Sequence, residues 1–468
     1  MTQSAARFDG NPTPDRAKNR MISNRNCATR MLPAFALLLA GCGGTPMAIT
    51  EMSAALSAEL AAEAEDAASP VDVSGGFKVA VAQAVSSNSG YRAALASERE
   101  ATSNIGVAES VRRPQLEASA NLGAVREFES DGARNSGLMG GITLSQLLFD
   151  GGESAAAINR ATAEALGAQA ERKSRANELA LDVARSWIDF WQYSERLRLL
   201  RTRTEEMDTL VGQIERMATN GMLDRAALDS ARRQIVNIQL EETRLQSDQS
   251  DARVRFQRYF RQAPGRLSRP AKLITASAAR AQARDWRGAP SLEARAASVF
   301  AARHAVGEAE AAFRPRVRLQ TGVRTPMESG DPTSGNFGLG FDYALLDGGR
   351  RVHQLEAAIA RASALEGQLH EEQTALEAEL EAALTRLAGI DRSMPLVARK
   401  LSLSQSEAET ARSQLATGQS NLRQLVEAEI ETYRAEDQQI AMQAERMILL
   451  LTIAARTGAL AQIIGLEE

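Results

Sequence analysis

Leu147-Leu148-Phe149-Asp150-Gly151-Gly152 returns 197 residues later as Ala344-Leu345-Leu346-Asp347-Gly348-Gly349. One Asp-Gly-Gly is merely a good turn, because glycine enters positive φ without a Cβ penalty. Two more matches keep step with it. Asn220-Gly221-Met222-Leu223-Asp224 returns as Thr417-Gly418-Gln419-Ser420-Asn421, again 197 residues on, and Arg113-Pro114 returns as Arg314-Pro315 after 201. Three matches in register over most of the chain make it one unit written twice.

Each copy reads as helix, strand, strand, long helix, turn, helix. In the first, an Ala-rich amphipathic helix is expected from Phe77 to Val111, stopped at Pro114. Strand alternation follows at Leu116, Ala118, Ala120, Leu122 and Ala124, then a Gly/Asp/Asn/Ser loop over 129–137. The returning strand sets Leu138, Ile142, Leu144 and Leu148 against Thr143, Ser145 and Phe149. The second copy alternates at Val317, Leu319, Thr321 and Val323, and again at Phe337, Leu339, Phe341, Tyr343 and Leu345. After Asp-Gly-Gly the period lengthens to about three and a half, with Ala362, Leu369, Leu376, Ala383, Ile390 and Val397 at heptad spacing. From Gly152 to Gly221, and from Gly349 to Gly418, the span is 69 residues. At ~1.5 Å rise per residue such a helix runs roughly 100 Å, too long for a compact domain. Pro395 predicts a kink in the second.

The resulting division is a leader over 1–41, a linker over 42–75, a first copy over 76–263 with its hairpin at 114–149 and turn at 220–224, and a joining segment over 264–289. A second copy follows over 290–457, with its hairpin at 315–346 and turn at 417–421, then a tail over 458–468. The joining segment, with Gly265, Pro270 and Gly288, is expected to belt the helices.

Composition agrees. Of 468 residues 44% are hydrophobic, 24% charged and only 4% aromatic, a mixture that favours long helices. With 55 basic and 59 acidic residues the net charge is −4, and no basic block marks a nucleic-acid partner. Three histidines and two cysteines leave little for a metal site, and His304, His353 and His370 are scattered. No nucleophile elbow or phosphate loop is present, so neither catalysis nor a cofactor is expected. Trp187, Phe190 and Trp191 at helical spacing read as interhelical packing.

The amino terminus carries Arg20, Arg25 and Arg30, then the apolar run Met31 to Ala40, then Leu39-Ala40-Gly41-Cys42. This resembles a bacterial lipoprotein signal with its lipobox, with translation starting at Met1 or Met21 and Cys42 as the lipidated residue of the mature chain. Cleavage there would also remove Cys27.

Two hairpins with one apolar and one polar face fit bilayer-crossing strands around a wet interior. Four strands cannot close around a pore, and in hydrocarbon every backbone N–H and C=O must be paired. The barrel must be pooled between chains, as eight strands from two, twelve from three or sixteen from four. The long helices would carry the pore onward from the side opposite the hairpin loops.

The duplicated pattern, the Pro-started strands, the Leu-Phe-Asp-Gly-Gly entry at 147–152 and the Gly-containing turns resemble the TolC-like outer-membrane efflux protein family over about Gly76 to Gly458. The resemblance implies an α+β membrane protein: a homotrimer with a twelve-stranded barrel continuous with a periplasmic α-helical barrel. It also implies an exit duct in the outer membrane, served by a periplasmic adaptor (membrane fusion) protein and an inner-membrane pump of RND or ABC type. By resemblance the adaptor meets the hairpin tips, here Gly221, Met222, Leu223, Asp224, Gly418, Gln419, Ser420 and Asn421. Asp224 and Asn421 also suit helix caps, with Gln424 three residues after Asn421. The family's acidic entrance positions fall on Gln424 and Glu427, its locking Tyr on Leu415 and its locking Arg on Ser420. Only Glu427 keeps that chemistry; three of them around an axis would favour cations. Arg423 is the candidate for a displaced cation. Efflux of small toxic compounds is the expected cargo, with type I protein secretion the alternative. A lipid-anchored coiled-coil scaffold without a pore is the reading from another class, and it predicts no alternation over 336–345.

Overall fold

The computed structural model describes residues 48–65, 69–126, 134–219, 225–326, 333–416 and 422–466. The chain divides into two units, 1–67 and 68–468. In the first, the described residues hold helix α1 (Ile49–Glu65), where a linker was expected. Its Ala, Leu and Glu content is that of a good helix former.

The second unit shows the duplication element by element. Copy one runs α2 (Phe77–Ser86), α3 (Ser89–Ser110), β1 (Gln115–Arg126), β2 (Arg134–Phe149), α4 (Glu153–Thr219) and α5 (Arg225–Phe260). Copy two runs α6 (Ala276–Arg284), α7 (Pro290–Ala311), β3 (Arg316–Pro326), β4 (Ser334–Asp342), α8 (Arg350–Ala416) and α9 (Leu422–Arg456), and α10 (Leu460–Ile464) closes the chain. Both long helices, α4 and α8, have 67 residues. Helix α8 continues through Pro395.

Several boundaries differ from the expectation. The helix expected over 77–111 is two, because Asn88 leaves helical geometry and its side chain caps α3 by accepting from the Gly90 amide at 2.8 Å. The joining segment contains α6, capped by Thr275. Within the expected tail over 458–468, the described residues hold α10, which buries Leu460 and Ile464, and the Ala461 amide donates to Asn177 Oδ1 at 2.9 Å. Strand β4 ends at Asp342, which pairs with Arg316, so Tyr343 and Leu345 stand outside it. Pro315, one residue further back, has no N–H to offer and the ladder cannot extend.

The core lies where the short helices and the joining segment meet the helical shafts. Trp187 packs edge-on to Phe77 and Phe260 at 5.7 Å between ring centres, and Phe256 stacks on Phe260 at 4.2 Å. Its indole donates to the Ser268 carbonyl at 3.3 Å, which ties the joining segment to α4. The Trp187, Phe190 and Trp191 triplet is therefore packing, as its spacing predicts.

Candidate functional site

The four strands form one antiparallel sheet in the order β1-β2-β3-β4. Pairing register sorts the side chains by face, since residues directly opposite share one. Leu116, Leu144, Thr321 and Phe337 make one row, Leu319 stands beside Leu339, and Phe149 beside Val317 and Phe341. On the other face Gln115, Ser145, Gln320 and Gly338 make one row and Glu117, Thr143, Gly322 and Asn336 the next. Phe149 was expected on the polar face. A register shift between Leu147 and Phe149 turns it to the apolar one and leaves Leu148 as the extra residue.

Among the described residues nothing covers the apolar face. Phe337 is 78% exposed, Leu339 68% and Phe341 67%, against the usual rule that large apolar side chains are buried. Among the described residues strands β1 and β4 each have one neighbour only, so both edges present backbone groups unpaired within the sheet.

The two Asp-Gly-Gly turns join strands to long helices with the same hydrogen bonds. Asp150 accepts from the Gly152 amide at 3.0 Å and the Ser154 amide at 2.7 Å; Asp347 accepts from Gly349 and from Arg351, each at 3.2 Å. Each carboxylate thereby satisfies amides that a helix start leaves orphaned. Gly151, Gly152, Gly348 and Gly349 have φ of 68°, 99°, 66° and 87°, the region that favours glycine. Burial pushes the Asp150 carboxyl up, but its bonds to Ser154 and Gly152 and the charge of Arg112 outweigh that and hold it below the usual range. Asp347 is held low by the Arg351 guanidinium, which bonds it at 2.6 Å.

The hairpin tips, Gly221, Met222, Leu223, Asp224, Gly418, Gln419, Ser420 and Asn421, lie outside the described residues, as do Cys42 and the side chains of Leu415 and Arg423. Gln424 and Glu427 are exposed at the start of α9, three residues apart and so on one face. The opposite face of α9 carries groups that sequence reading missed. Glu429, 5% exposed, pairs with Arg412 of α8 and lies 3.7 Å from Arg203 of α4. Arg203 also binds Glu436 at 3.1 Å, and Arg196 grips Asp437 with two bonds of 2.6 and 2.9 Å. The signal was present: Arg196 and Arg203 are seven apart, as are Glu429 and Glu436, so each pair returns to one helix face. This ladder ties the long helix of copy one to the returning helix of copy two.

Among the described residues no helix is long and apolar enough to cross a membrane, and no group of three or more His, Cys, Asp or Glu is arranged to hold a metal.

Several solved structures share the fold. A crystal structure of CusC, reported for conformational changes accompanying folding and transmembrane channel formation, has 17% identity and a TM-score of 0.71, over 83% of this chain and 93% of that one. The outer membrane protein VceC of Vibrio cholerae also gives 17% and 0.71, over 81% and 95%. The open state of the Neisseria gonorrhoeae MtrE outer membrane channel gives 17% and 0.68, over 82% and 89%. No curated protein sequence matches the chain. The family described as outer membrane efflux protein, whose members are channels of efflux systems, matches residues 80–260 and 286–459. With both structural copies covered by that match, the chain belongs to the outer membrane efflux protein family.

Proposed function

We propose that the protein is the outer-membrane exit duct of a tripartite efflux system, a homotrimer that passes small toxic compounds from the periplasm to the exterior. The carrying observation is the sheet with one bare apolar face and two open edges. In a bilayer those edges must be paired, and pairing β4 of one chain with β1 of the next closes twelve strands when three chains contribute. The apolar face then meets lipid and the Gln, Thr and Asn rows line a wet pore. The 67-residue helices continue the conduit into the periplasm.

Around this core stand the finer assignments. Cys42 carries the lipid anchor. The tips at 221–224 and 418–421 receive a periplasmic adaptor, which couples the duct to an inner-membrane pump of RND or ABC type. Glu427, with Gln424 and Arg423, lines the periplasmic entrance, and Asp150 and Asp347 with their glycines fix where strand becomes shaft.

Deleting the gene tests the role. Cells lacking it, in a background without other exit ducts, become sensitive to toxic compounds, and the intact gene restores resistance. Unchanged sensitivity with lost export of a secreted protein moves the duct to type I secretion. Loss of neither removes the transport assignment.

A further inference from the structure

Between α4, α5, α8 and α9 the second unit contains a cavity of about 590 Å³. That is the size of a small-molecule site. Leu200, Met207, Ile238 and Ile430 supply an apolar floor, so a filling solute would bury hydrocarbon.

The charges around the floor can be paired off one by one. Arg203 is bound by Glu206 and Glu436, Arg412 by Glu429, and Arg434 by Glu431 of its own helix. Asp437 is taken by Arg196. That leaves Glu241 on α5. Among the described residues it is the one charged group lining the cavity without an ion pair, and Arg196, which acts on it at longer range, is already bound to Asp437. Beside it Tyr433 lines the same space, and its hydroxyl is buried with no hydrogen-bond partner. Burial pushes the Tyr433 hydroxyl well above its ordinary value, and the carboxylates of Asp437 and Glu241 push it further, so it stays neutral and its oxygen can accept a hydrogen bond. A buried hydroxyl left without a partner is costly unless a ligand completes it, and a ligand N–H can do so by donating to its oxygen while the half-buried Glu241 carboxylate supplies the opposite charge.

We propose that this cavity binds a small amphipathic organic cation, with Glu241 as counter-ion, the Tyr433 ring and hydroxyl beside the head group, and the aliphatic floor under its apolar part. A cation over a tyrosine face gains from the ring quadrupole as well as from the carboxylate. The inference deepens the export reading, on which it rests for the ligand's role, by assigning a charge class to the compounds that pass. Anions are disfavoured, because Arg203, Arg412 and Arg434 each already have a carboxylate partner, although the buried Arg203 Nε has no hydrogen-bond partner.

The test uses the purified full chain and two dyes: ethidium as the amphipathic cation, and anilinonaphthalene sulfonate as an amphipathic anion. Saturable ethidium binding of one per chain is expected, with no saturable sulfonate binding. Glu241→Gln weakens ethidium about tenfold or more, Glu241→Asp retains it, and Ile238→Trp abolishes it by filling the floor. Wild-type protein that binds both dyes alike, or binds ethidium not at all, overturns the proposal without reliance on any variant. So does a Glu241→Gln protein of native circular dichroism that binds unchanged. Planar-bilayer conductance of the same wild-type preparation judges the export reading separately: conduction without an ethidium site retires this inference alone, and ethidium binding without conduction retires the duct.

Discussion

Arg314 Nη1 donates to the Gly151 carbonyl at 2.6 Å across 163 residues of sequence. The helix-to-strand corner of copy two thus holds the strand-to-helix corner of copy one. Arg316 repeats the span two residues on, binding Glu153 at 2.6 Å. Gly151 has no room for a side chain there, since a Cβ would collide with the Arg314 stem, and its φ of 68° disfavours one anyway. Gly151→Ala is expected to cost about 1–3 kcal/mol through strain alone. Thermal unfolding followed by circular dichroism should show it, and Gly348→Ala, which has open space around it, should cost less.

Sheet faces are not interchangeable. Leu339→Arg sets a charge on the apolar face and is expected to cost about 2–4 kcal/mol in a bilayer, whereas Gln320→Arg on the polar face leaves insertion intact. The amount of each variant recovered in the outer-membrane fraction checks this. Equal recovery would show that the faces are misassigned.

The Arg–carboxylate ladder is expected to act as a cross-tie between copies. Asp437→Asn leaves Arg196 unpaired on an interface where both side chains are under one-fifth exposed. A loss of about 3 kcal/mol follows, because removing one partner strands the other. Chemical denaturation measures it, and Arg201→Gln, removing a more exposed pair with Glu242, serves as the mild comparison.

Stability should fall in acid. Asp150, Asp347 and Glu431 are all held below their ordinary values, the last by Lys400 first and then Arg434 against the opposing effect of burial. A carboxyl whose folded value is depressed contributes fully above its unfolded value and loses that contribution as pH falls through the folded one. The melting temperature should therefore hold from neutrality to about pH 5 and decline below about pH 4. Asp150→Asn with Asp347→Asn should shrink the decline.

The Asp-Gly-Gly repeat made the architecture readable, because turn chemistry and hydrophobic period depend on neighbouring residues. Both 67-residue helices stand between the turns that bound them in sequence, and all four strands are present, although β2 begins at Arg134 inside the expected loop and β4 stops before Tyr343 and Leu345. The misses have local causes. The break at Asn88 depends on one side chain reaching the Gly90 amide, and the bulge before Phe149 depends on the partner strand rather than on its own alternation. The buried ladder from Arg196 to Glu429 was less legible, since a charged heptad position looks the same whether it faces water or another helix. Glu241 is harder still. Its interest lies in what its neighbours have already paired with.

The most direct trial of the account is the mass of the intact, detergent-solubilised mature protein by native mass spectrometry. Three copies per particle, matching a barrel closed from four strands each, is the predicted result; a detergent-independent single copy would contradict it.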